Sequence, residues 1–122
     1  METTQGKAVA AYSTITRIGQ KPMPSFAAYK LFRLKKALAP VVEFQSEQEV
    51  KKVEELGGKI SETGLIQIED KGKRSAYNEW HKELEGLSCD VMTERISMVM
   101  KELPEMSVAD MDSLDEFIEW KE

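Results

Sequence analysis

The stretch "SFAAYKLFRLKKALAPVV", Ser25 to Val42, decides the fold. At 100° per residue, Ala27, Leu31, Leu34, Leu38, Val41 and Val42 fall in one sector, the apolar stripe of a helix laid against a core. Ser25 reads as its N-cap. Pro40 sits inside the pattern, so the helix is expected to kink there or to stop and restart. "SEQE", Ser46 to Glu49, has the spacing of a capping box and favours the restart. Val50, Val53 and Leu56 then continue an apolar face, with Glu47–Lys51 and Lys51–Glu55 as i,i+4 pairs on the wet side, until Gly57-Gly58 ends it.

Upstream, Thr4 to Ile18 predicts a first helix with Val9, Tyr12, Ile15 and Ile18 near helical spacing and Gly19 as its C-cap. "KPMPS" breaks it from the second, because residues preceding proline leave the helical region. Downstream the period changes. "KISETGLIQIED" alternates, which predicts a short hairpin of Lys59–Ser61 with Leu65–Ile68, followed by a turn at "DKGK". A third helix is expected from about Arg74 to Leu84, with Tyr77, Trp80, His81 and Leu84 on one face. Cys89–Leu103 reads either way, and strands are preferred because two short strands need a further partner. Ser107 with Asp110 caps a last short helix whose buried side is Met111, Leu114 and Ile118, with Phe117 beside it. The expected class is α+β: a kinked long helix and two to three shorter helices on a small, mostly antiparallel sheet. The 122 residues suit one domain over 1–122, with 1–20 as an N-terminal helical extension.

Charge is divided along the chain. Residues 1–42 hold seven Lys/Arg against one acid, Glu2, whereas residues 43–122 hold ten against twenty-one acids, and the net charge is -5. Opposite the leucine stripe the positive groups gather: Tyr29, Arg33 and Lys36 together, with Lys30 on the flank, form a candidate partner-binding face. An aromatic among cations suits a phosphate backbone with a base stacked on the ring. It suits an acidic protein surface as well: the chain's own C-terminal helix, a second copy, or another protein. The acidic end offers a second candidate face in Asp112, Asp115, Glu116, Glu119 and Trp120.

Chemistry is sparse. Cys89 is alone, so neither an internal disulfide nor a cysteine metal cluster is available. His81 is the only histidine and lacks the three or four ligands that zinc requires. "GKRS", Gly72 to Ser75, imitates the end of a phosphate loop, but Gln67 stands where its first glycine is needed. No nucleophile–base pair remains, so the expectation is a protein that is not an enzyme, with no catalytic residue, no metal and no cofactor. The apolar runs are too short for a membrane span, and a cytoplasmic location is expected.

The segments "KPMPSFAAYKLFRLKKALAPVVE", "GGKISETGLIQIED", "YNEWHKELEGLSCDV" and "MSVADMDSLDEFIEW" resemble, over about Lys21 to Trp120, a family of small proteins of unknown function encoded by tailed bacteriophages and prophages. The resemblance implies a context, the cytoplasm of an infected bacterium or the virion itself, and brings no functional residues with it. The expected role is therefore an accessory protein acting by protein–protein binding, with virion assembly as the first setting. One alternative is a counter-defence inhibitor that meets a host immune factor with its acidic end. The other is a nucleic-acid-binding accessory factor using the basic helix 25–39.

Overall fold

The computed structural model describes every residue from Met1 to Glu122. The chain runs β1 (Glu2–Thr4), α1 (Gln5–Ile18), α2 (Ser25–Glu55), β2 (Lys59–Ile60), β3 (Ile66–Gln67), α3 (Lys71–Gly86), β4 (Ser88–Asp90), β5 (Ile96–Val99), a 3₁₀ turn (Met100–Glu102), α4 (Val108–Leu114) and β6 (Ile118–Lys121). The α+β class holds. Its strands form three separate two-stranded ladders: β1 with β4 and β2 with β3 antiparallel, and β5 with β6 parallel.

α2 is one continuous helix through Pro40, so the expected stop and restart does not occur. Pro40 is exposed on the outer side of the helix, while Leu34, Leu38 and Val41 are buried on the other. Proline removes one backbone bond, a cost of about 3 kcal/mol in a helix interior. Packing on both sides of the break holds the helix regardless. Pro24, not Ser25, takes the N-cap position, and no side chain caps that end. The Ser46–Glu49 box lies in mid-helix, where its backbone donors are already used.

The leucine stripe meets α1, whose buried face is Ala8, Ala11, Ile15 and Ile18. Two alanines at the contact let the helices approach closely, because side-chain size sets the interaxial distance. Val91, Met98, Leu114, Phe117 and Ile118 complete this core from the C-terminal third. A smaller cluster of Val53, Ile68 and Tyr77 joins the end of α2 to β3 and α3. Gly57 carries φ +72°, and a Cβ at Gly58 would lie 2.7 Å from the Ile68 side chain, so the glycine pair both ends α2 and seats the hairpin.

Two other expectations are corrected. α3 starts three residues earlier than its apolar spacing suggested, because the Asp70 carboxylate accepts from Lys73 N at 2.9 Å and caps it. The capping box of Ser107 and Asp110 is present, yet α4 ends at Leu114. Ile118, Glu119 and Trp120 leave the helix to pair with Ile96, Ser97 and Met98 on β5. Tertiary pairing with a strand more than twenty residues away overrides the local helical spacing, as β-branched Ile118 favours.

Candidate functional site

The outer face of α2 is built by the same periodicity that builds its core stripe. With the leucines turned inward, Phe26, Tyr29, Phe32, Arg33, Lys36, Pro40, Glu43, Phe44, Glu47, Val50 and Lys51 are all exposed. The aromatics are prominent: Phe26 is 70%, Tyr29 54% and Phe32 57% accessible. Tyr29 and Phe32 stack with ring centroids 6.5 Å apart. Exposed aromatics gathered on one helix face are the kind of surface at which partners bind.

Of the four residues expected on this face, the structure brings Tyr29, Arg33 and Lys36 together at the surface and ties the fourth down. Lys30 Nζ donates to the Ser97 carbonyl at 2.8 Å and lies 5.2 Å from the Phe26 ring centre, so its charge fastens α2 to β5. Phe26, Phe32 and Phe44 were missed. The 100° rule applied to the leucines also places all three outside the core sector, so the signal was present in the sequence. Beside them a groove of about 420 Å³ runs between α2 and the β4–β5 loop, lined by Phe26, Tyr29, Arg33, Ala37, Met92 and Ile96 among others.

None of the basic residues from Lys21 to Lys36 makes an ion pair within the chain; the cations that do are the N-terminus, Lys7, Arg17, Lys52, His81 and Lys121. The chain's own acidic end is therefore not their partner. On the same face, Glu43 and Glu47 are equally without an ion-pair partner, and the expected Glu47–Lys51 and Lys51–Glu55 pairs do not form. The outer face thus carries Arg33 and Lys36 in its first half and Glu43 and Glu47 in its second, followed by Lys51, and none of the five makes an ion pair within the chain.

The acidic end is spent differently. Arg17 grips the Asp110 carboxylate, which also accepts from Ser107 N at 3.1 Å. The hydrogen bonds from Arg17, with the Ser107 backbone next, hold the Asp110 carboxyl down to about 2. Lys7 lies 3.7 Å from Glu116 Oε2, too far for a hydrogen bond, and that buried oxygen has no other partner. Lys121 pairs with Glu119, and Trp120 Nε1 donates to Asp115 Oδ1 at 2.9 Å. Of the five residues expected here only Asp112 is free of such contacts. Glu119 and Trp120 stand on β6 rather than on the last helix.

Titratable groups meet once more, at the junction of α2 and α3. His81 Nε2 is 2.6 Å from Glu49 Oε2, and Nδ1 is 2.7 Å from Glu85 Oε1. The two carboxylates face opposite edges of the ring and cannot converge on one ion, and no group of three or more such side chains is placed to hold a metal. Burial, with the Glu49 charge adding to it, pushes the neighbouring Tyr77 hydroxyl up to about 12. The Cys89 thiol is likewise pushed up, by burial first and then by Asp90 and Glu116. Neither group is primed as a nucleophile. No helix is long and apolar enough to cross a membrane.

Comparison of the chain with protein-family models, with curated proteins and with solved structures finds no match in any of the three.

Proposed function

We propose that this chain is a non-enzymatic docking protein that binds another protein through the outer face of α2. One observation carries the reading: Phe26, Tyr29 and Phe32 stand exposed among Arg33 and Lys36, which no carboxylate of the chain neutralises. Aromatic and arginine side chains are the residues that dominate binding energy at interfaces. Virion assembly in the cytoplasm of an infected bacterium, the setting expected from the sequence, is kept as part of this proposal. The counter-defence alternative loses ground, because most of the acidic end is engaged with Lys7, Arg17, Lys121 and Trp120.

A photo-crosslinking residue at Tyr29, compared with one at the exposed Glu79 of α3, tests this in the producing cell. Protein adducts specific to position 29 are expected. Equal adducts at both positions, or none, would refute the docking role. The interleaving of rings and cations also favours a second reading, single-stranded nucleic acid stacked on Tyr29 and Phe32. That reading requires affinity falling steeply with salt and lost in Arg33→Glu with Lys36→Glu.

A further inference from the structure

We infer, on the strength of that docking reading, that the occupant of the α2 face is a second copy of this chain, its α2 laid antiparallel across the first. The helix is self-complementary about Pro40. Arg33 lies seven residues before it and Glu47 seven after; Lys36 lies four before and Phe44 four after; Tyr29 lies eleven before and Lys51 eleven after. Placing a two-fold axis over Pro40 therefore sets Arg33 against Glu47, and sets the Lys36 and Lys51 ammonium groups against the Phe44 and Tyr29 rings. The symmetry makes each pairing twice.

Helical rise turns these counts into lengths. At about 1.5 Å per residue the Arg33–Glu47 pairings sit about 10 Å to either side of the axis, and the Phe26–Val50 stripe is about 36 Å long. All the residues named are exposed along one continuous helix, so their side chains are open to a second copy. The continuity through Pro40 is what keeps the two charged halves on the same side of one helix. A restart there would have rotated one half away from the other.

Charge complementarity selects this occupant. A parallel pairing in the same register would set Arg33 on Arg33 and Glu47 on Glu47, which repel. An isologous two-fold contact is also the commonest way for soluble chains to associate. A stripe one helix wide, about 10 Å, is small beside the roughly 800 Å² per partner of standard interfaces, so the dimer is concentration-dependent rather than permanent.

Charge exchange tests the pairing. One variant carries Arg33→Glu and Lys36→Glu, reversing the two cations of the first half; a second carries Glu43→Lys and Glu47→Arg, reversing the two acids of the second. Melting curves confirm that both fold, since every substituted position is exposed. Sedimentation should show the parent doubling in mass with concentration, each variant alone dissociating at least tenfold more readily, and an equal mixture of the two recovering the parent's association. In parallel, Pro40→Cys combined with Cys89→Ser should form an intermolecular disulfide on mild oxidation, because residue 40 meets its own symmetry mate. A parent that stays monomeric at high concentration overturns the inference, as does a mixture no tighter than its components. In either case the docking reading still stands or falls on the Tyr29 crosslink to a different protein.

Discussion

Leu34 and Phe32 are two residues apart on α2 and answer to opposite demands. Leu34 is fully buried, whereas Phe32 is more than half exposed. Truncating a buried leucine to alanine costs about 2–5 kcal/mol, from lost transfer free energy and from the cavity left behind. For 122 residues the unfolding entropy is about 0.26 kcal/mol/K, so each kcal/mol lowers Tm by about 4 °C. Leu34→Ala should therefore melt about 8–20 °C below the parent. Phe32→Ser removes a larger side chain, but one that keeps more than half of its surface in water, and surface changes usually stay within about 0.5 kcal/mol. Its melting temperature should move by about 2 °C or less. Both are measured by circular dichroism in dilute solution, where association contributes nothing. Equal losses in the two variants would mean that Phe32 belongs to a core, and the docking face would fail with it.

The Asp110 carboxyl is held near 2, below the ordinary 3.8, so its contribution to stability is fully present above about pH 4 and lost as the pH falls through about 2. Asp110→Asn should flatten melting temperature against pH over that window, and a curve merely parallel to the parent's would refute the Arg17 assignment. Ser107→Ala removes one half of the α4 capping box and should cost about 1 kcal/mol, read from urea unfolding at neutral pH. Because burial raises the Cys89 thiol, alkylation at pH 7 should be much slower in the native protein than after unfolding. A native rate equal to the unfolded one would place that thiol at the open surface.

How legible these features were in the sequence depended on how local their causes are. The inner stripe of α2, the reach of α1, the β2–β3 hairpin and the Ser107 cap all follow from residues within a turn or two of each other. The unbroken passage through Pro40 does not, because it depends on Leu34, Leu38 and Val41 finding α1 and Phe117. Glu49 looked like the closing residue of a capping box; its actual partner is His81, thirty-two residues on. Ile118 looked helical until Ile96 offered it a ladder. On the candidate face, Tyr29, Arg33 and Lys36 were legible because charge draws attention. Phe26 and Phe32 were passed over because phenylalanine is ordinarily counted toward a core. That Lys30 serves β5 was not legible, since the Ser97 carbonyl is brought to it only by the fold.

The placement of α1 has a consequence for the chain while it is being made. α1 finds α2 early, but Arg17 waits for Asp110, Thr14 for Ser113 and β1 for β4. At about 5–20 residues per second, the ribosome leaves roughly 5–20 s between the appearance of α1 and that of α4. Throughout that interval the side of α1 meant for the C-terminal third has nothing to cover it. Nascent chains halted before Ser88 should therefore be cut readily by protease within residues 5–18, and chains released from the ribosome should resist. α1 is thus fully enclosed only once β4 and α4 have been made, so errors in its packing are settled late.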